Sequence, residues 1–181
     1  MNELLSQFTL VGNFIVSDKN PNMLHFNYLV KGKFLTKNDG RVYIITQEKD
    51  GNLEILKVGK SAAKKGVSST IAGYYGALRG TPSQNRYCMH EMILNKIKDG
   101  YTIKFYVKYA ESIKMKIKGF FTEEEIMIPI DMTYMERLFI EDYKKIYGEF
   151  PQWNFQENGK TLPIDLTESF GKFIMNKKQK K

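Results

Sequence analysis

Gly59-Lys60-Ser61 reads like the end of a phosphate-cradling loop. Such a loop needs a glycine five residues before Gly59, so that backbone amides can close on the phosphates, and Glu54 stands there instead. An acidic side chain opposes phosphate, so a nucleotide-hydrolysing loop is excluded. No Gly-x-Ser-x-Gly turn supports a serine nucleophile. One cysteine, Cys88, rules out an internal disulfide framework and a cysteine-clustered zinc or iron–sulfur site. Two separated histidines, His25 and His90, rule out a histidine-rich metal centre. The chemistry this chain can offer is spread along its length.

The distributed pattern begins with Val42-Tyr43-Ile44 on an apolar strand and continues, across a hairpin, with Lys57-Val58-Gly59-Lys60-Ser61. A basic loop holding Lys64 and Lys65 follows, then a helix with Tyr74, Tyr75 and Arg79, then a second helix. Later come Glu136-Arg137-Leu138-Phe139-Ile140, Tyr143-Lys144-Lys145 and Pro151-Gln152-Trp153-Asn154. Each piece has a purely structural alternative. Tyr43 suits a core, and Lys57 and Lys60 suit solvated strand ends. Thr133-Tyr134-Met135-Glu136 is a capping box in which Glu136 closes its own helix end. Trp153 and Asn154 suit core and turn, and Gly59 suits a tight strand exit.

The elements that must position these groups follow from periodicity. Residues 8–17 and 24–35 are rich in β-branched and aromatic types around the turn signal of residues 18–22, and predict a hairpin. Turns at Asn38-Asp39-Gly40 and at residues 49–52 bound strands 41–46 and 53–59, the first apolar enough for mid-sheet. Residues 61–69 form a loop, and Ser68 or Ser69 caps a helix through Ile71, Tyr75 and Leu78 to about Gly80. A better helix spans 84–98, closed by Asp99-Gly100. Strict alternation marks strand 101–109, and residues 113–118 alternate Ile and Met with Lys114, Lys116 and Lys118. A last helix covers 134–147, with Gly148 and Pro151 behind it.

In this order the pieces resemble the GIY-YIG nuclease superfamily, closest to its small phage endonucleases and compact restriction enzymes, over residues 41–155. The resemblance implies an α/β (α+β) fold: a small, mainly antiparallel sheet flanked by helices, with an extra N-terminal β-hairpin. The implied division is a hairpin extension at 1–38, a nuclease core at 39–160 and a C-terminal segment with a basic tail at 161–181. Tyr43 matches the first motif's tyrosine, Glu136 the metal-binding glutamate and Asn154 the late asparagine. Lys57-Val58-Gly59 departs from Tyr-Ile-Gly, though some restriction enzymes of the family carry lysine there. The family's helix arginine would fall one turn before Tyr75, where Ile71 stands, and Arg79 one turn later is the substitute. The implied catalytic set is therefore Tyr43, Lys57, Tyr75, Arg79 and Glu136, with Mg²⁺ (or Mn²⁺) on Glu136. Lys60, Lys64, Lys65, Arg86, Lys114, Lys116, Lys118 and Asn154 are the implied nucleic-acid contacts.

Charge agrees with an anionic partner. The 181 residues carry 28 Lys+Arg against 20 Asp+Glu, a net +8, and the lysines at 177, 178, 180 and 181 account for four of it. With 42% hydrophobic residues a buried core is expected, and neither a secretory signal nor a membrane span is evident. The expectation is an intracellular, cytoplasmic endonuclease, of a bacterial or phage-infected cell, acting on double-stranded DNA. Two cuts in a duplex suit a homodimer or higher homo-oligomer. The competing expectations are a degenerate nuclease fold that binds nucleic acid or a protein partner without cleaving, and a structural phage protein.

Overall fold

The computed structural model describes residues 2–179; Lys180 and Lys181 of the basic tail lie outside the described residues. The chain runs α1 (Asn2–Leu5), β1 (Thr9–Ser17), β2 (Asn20–Tyr28), α2 (Lys33–Thr36), β3 (Arg41–Lys49) and β4 (Asn52–Ser61). It continues through α3 (Val67–Tyr75), a 3₁₀ turn (Ala77–Arg79), α4 (Gln84–Lys98), β5 (Thr102–Tyr109), β6 (Ile113–Lys118) and β7 (Glu123–Ile128). The helices α5 (Met132–Tyr147) and α6 (Ile164–Gln179) complete it.

Alternation in β1 to β5 places them in one sheet of order β2-β1-β5-β3-β4, and each of its ladders is antiparallel. This is an α+β fold with helices on both faces. β3 lies inside the sheet and is buried from Arg41 to Gln47, which is why it carries an unbroken apolar run. Tyr43 and Ile45 face a core closed by α3, α4 and α6, while Val42 and Ile44 face a second core closed by α5. Each fully buried Ile or Phe of these layers contributes roughly 1.5–3 kcal/mol. The N-terminal hairpin belongs to the same sheet, because β1 pairs with β5.

Several boundaries differ from expectation. The second strand of the first hairpin is Asn20–Tyr28 rather than 24–35, since the turn needs only Asp18 and Lys19 and the chain swings away at Gly32, which has φ 70°. Pro21 is tolerated there because β2 is an edge strand. The helix expected to reach Gly80 ends at Tyr75, and Ala77–Arg79 tightens into a 3₁₀ turn. α5 starts at Met132, capped by Asp131, whose carboxylate accepts from the Thr133 amide at 2.8 Å. The capping-box reading of Glu136 therefore falls. Gly148 ends α5 at φ 80°, a left-handed conformation that glycine adopts without strain.

The short helices α1 and α2 had no counterpart in the sequence expectations, nor did two longer elements: α6, which packs beside α4, and β7, which pairs with β6 in a separate two-stranded arm. β7 also tells against Lys114, Lys116 and Lys118 as free nucleic-acid contacts. Glu125 holds Lys114 at 2.6 Å, and Glu123 holds Lys116 at 2.9 Å and Lys118 at 3.8 Å. Lys114, Lys116 and Lys118 are thus matched within the arm. No helix among the described residues is long and apolar enough to cross a membrane.

Candidate active site

The centre of the site is set by Gly59. Tyr43 on β3 lies opposite Gly59 on β4, and its ring crosses the glycine so closely that a Cβ there would sit 2.5 Å from the phenol oxygen. Only glycine permits that approach. The ring stacks on Phe105 of β5 at 5.1 Å, and its hydroxyl meets the Tyr74 hydroxyl of α3 at 2.6 Å. Both phenols are buried, and burial pushes both pKa values up, that of Tyr43 well above its ordinary 10. The pair is protonated at neutral pH.

β4 is an edge strand, and the loop after α5 seals that edge. The Trp153 amide donates to the Leu56 carbonyl at 2.7 Å. The Asn154 side chain accepts from the Val58 amide and donates to the Val58 carbonyl, both at 2.9 Å. Asn154 is 3% exposed and spends both ends of its amide on the strand, so it is a buried brace and not a nucleic-acid contact. Between these anchors the Lys57 ammonium donates to the Trp153 carbonyl at 3.3 Å. Burial pulls the Lys57 pKa down, opposed by the nearby Glu157 and Glu136 carboxylates. One turn into α5, Glu136 receives the Lys60 ammonium at 2.6 Å, with the carboxylate side chain 16% exposed.

Two adjoining hollows share Lys57 and Asn85. The first, about 360 Å³, is lined by Tyr43, Lys60, Ser61, Thr70, Tyr74 and Arg86. The second, about 320 Å³, adds Glu136, Trp153 and Glu157. The N-terminus of α4, capped by Ser83, opens onto the first, so the positive end of a helix dipole joins three cations there. Arg86 lies over Gly73 and beside Tyr74, its Nε 3.5 Å from where a glycine-73 Cβ would stand. Among the described residues no group of three or more His, Cys, Asp and Glu side chains could cage a metal.

Tyr43, Lys57, Lys60, Arg86 and Glu136 are thus brought together, and Tyr75 and Arg79 are not. The Arg79 guanidinium sits 5.7 Å over the Tyr75 ring. It lines a different hollow with Val16, Lys19 and His25 against the first hairpin. Helical phase and helix length decide this: Val67, Ile71 and Tyr74 form the buried stripe of α3, Tyr75 falls beside it, and Arg79 lies past the helix end in the 3₁₀ turn. Tyr74 was legible from its i, i+3 spacing to the apolar Ile71. Glu157, on a short loop, carried no such signal. Lys64 and Lys65 are exposed on the loop from β4 to α3, next in sequence to Ala63 of the first hollow's wall and not themselves part of it. Lys114, Lys116 and Lys118 are in the arm and line neither hollow.

No protein-family model and no curated protein sequence matches the chain. Among solved structures it is similar to a point-mutant form of bacteriophage T4 EndoII, at 16% identity and a TM-score of 0.49, over 85% of this chain and 97% of that one. It is also similar to restriction endonuclease HPY188I in complex with product DNA, at 18% identity and a TM-score of 0.42, over 83% of this chain and 81% of that one. Neither score reaches 0.5, so the functional assignment rests on the side chains of the cleft.

Proposed function

We propose that this chain is a Mg²⁺-dependent DNA endonuclease of GIY-YIG type, hydrolysing phosphodiester bonds in double-stranded DNA. The observation that carries the reading is the meeting, at one sheet edge, of a hydroxyl pair, a desolvated lysine, an arginine at a helix N-terminus and a carboxylate held by a second lysine. Phosphodiester hydrolysis needs these parts: a proton acceptor for water, charge to meet the nonbridging oxygens, and relief of charge at the leaving oxygen.

Each residue takes a role its surroundings allow. Arg86 and the first amides of α4 grip the scissile phosphate, the guanidinium in two-point geometry. Arg86 supplies from α4 the cation that Ile71 cannot, which removes the main motive for a non-cleaving reading. Of the two hydroxyl protons of Tyr43 and Tyr74, one bridges the pair and the other is donated to a phosphate oxygen. Tyr43 keeps its proton at neutral pH, so the base is Lys57, whose amine burial shifts toward neutrality. Lys60 steadies Glu136 and adds charge beside the phosphate.

Glu136 is the residue that would hold Mg²⁺ or Mn²⁺. One carboxylate ligand, with Glu157 on the wall of the same hollow, fits a hard cation that keeps most of its waters, which is how Mg²⁺ is usually bound. When bound, the metal supplies a Lewis acid and neutralises phosphate charge. The test is a supercoiled-plasmid assay with Mg²⁺ and with EDTA, followed by mapping of product ends. Nicked or linear DNA with Mg²⁺ alone supports the reading; intact plasmid under both conditions overturns it.

A further inference from the structure

The backbone of the loop after Asn154 is tightly braced, while the heads of its polar side chains are left unengaged. The Asn158 amide donates to the Asn154 carbonyl at 3.0 Å, and the Lys160 amide donates to the Phe155 carbonyl at 2.9 Å. The Asn158 side chain donates to the Pro151 carbonyl at 2.8 Å, and Phe155 packs against the core. Gly159 takes φ 62°, a left-handed conformation that lets the chain double back. On this fixed frame Gln156, Glu157 and Lys160 are exposed. Among the described residues no hydrogen bond or ion pair engages any of these three side chains. All three line the second hollow, the one that also holds Lys57 and Glu136.

We propose that this loop reads the base pair beside the scissile phosphate, Glu157 accepting from the cytosine N4 amine and Lys160 donating to guanine O6 or N7 of one C·G pair. The inference rests on the endonuclease reading of the cleft. Charge divides the labour between the two hollows. The first carries Lys57, Lys60 and Arg86 and no carboxylate, which suits a phosphate. The second sets Glu136 and Glu157 against Lys57 and Lys160, so it has no surplus charge with which to hold one. A balanced set of donors and acceptors matches a base edge instead. Lys57 and Asn85 belong to both walls, so a strand whose phosphate lies in the first hollow brings its adjoining nucleotide to the second. Glu157 and Lys160 are close in sequence yet not paired with each other, which leaves one acceptor and one donor for the two bases of a pair. The braced backbone lowers the ordering cost of making these contacts. The Gln156 carboxamide suits adenine N6 and N7 at the neighbouring pair.

The experiment uses one randomised duplex library in two arms, with wild type, Glu157→Gln and Lys160→Met. Product ends are sequenced after cleavage in Mg²⁺, and bound duplexes are selected in EDTA, where the readout needs neither metal nor cleavage. The wild type is expected to favour C·G over A·T by about 10-fold or more at the pair flanking the cut, as for one good base contact, and to enrich C·G among bound duplexes. Glu157→Gln replaces an acceptor with a carboxamide and is expected to move the preference toward A·T, while Lys160→Met flattens it. A wild type without preference at that pair, or the same preference in all three proteins, overturns the inference and leaves the nuclease reading intact. Loss of cleavage by Glu157→Gln with its preference in EDTA unchanged also overturns it, and makes Glu157 part of metal binding. Biased binding that both variants alter, without cleavage by wild type, supports the base contacts and overturns the nuclease reading instead.

Discussion

Replacing Asn154 with alanine should damage the fold before it touches DNA. The side chain satisfies the Val58 amide and carbonyl at once, in a place where water has no access. Alanine leaves both buried groups without a partner, and each unsatisfied group costs about 1–3 kcal/mol. The sum, roughly 2–6 kcal/mol, is a large fraction of the stability of an ordinary domain. In a chain of this size it corresponds to a fall in Tm on the order of 10 °C. Asn154→Asp should be nearly as harmful, because it keeps the acceptor for the amide and sets an oxygen against the Val58 carbonyl. Urea denaturation of both variants at neutral pH gives the numbers, and DNA affinity is measured where each is folded. A loss under about 1 kcal/mol, the ordinary worth of a single hydrogen bond, together with strongly weakened DNA binding would refute the brace and restore Asn154 as a contact.

Arg86→Ala should lower plasmid cleavage by about 10²-fold or more, as for loss of one transition-state donor, with Arg86→Lys recovering little; Arg79→Ala should leave the rate within a few fold, and equal losses would undo the assignment. Gly59→Ala should push the Tyr43 ring off its seat, costing about 1–3 kcal/mol for overpacking and most of the activity, as read by thermal melting and initial rates. Burial depresses the Lys57 pKa below its unfolded 10.5, so between the two values the unfolded chain holds the extra proton and stability must rise with pH. Lys57→Met should lack that rise, be more stable than wild type below the window, and lose cleavage; a wild-type curve parallel to that of Lys57→Met would show that the amine is not desolvated.

What the sequence made legible follows from how locally each feature is encoded. Helix 84–98 matches α4 to the residue because Ser83 caps it and Asp99-Gly100 stops it, both signals lying next to the ends they set. Tyr43, Lys57 and Glu136, expected together from their order on a strand pair and a helix, line adjoining hollows in the structure. Tyr75 and Arg79 were misplaced because the helix was expected to run on to Gly80: it stops at Tyr75, Arg79 falls in the 3₁₀ turn beyond, and the inward stripe is Val67, Ile71 and Tyr74. Asn154 was read as a nucleic-acid contact or a turn residue because the strand it braces lies far away in sequence. The matched charges of the arm escaped notice for the same reason, since β7 was not recognised and its glutamates had no partner in view.

The claim at the centre is that the Glu136 carboxylate works in phosphodiester cleavage and does not merely hold Lys60. The direct measurement is plasmid cleavage by wild type and Glu136→Gln in parallel, in Mg²⁺, with DNA affinity and melting temperature recorded on the same preparations. The expected result is cleavage by wild type and none by Glu136→Gln, with affinity within a few fold and little change in melting, because the 2.6 Å ion pair with the partly exposed Lys60 is worth only about a kcal/mol. Wild-type rates from Glu136→Gln, or a loss of cleavage explained entirely by unfolding, would contradict it.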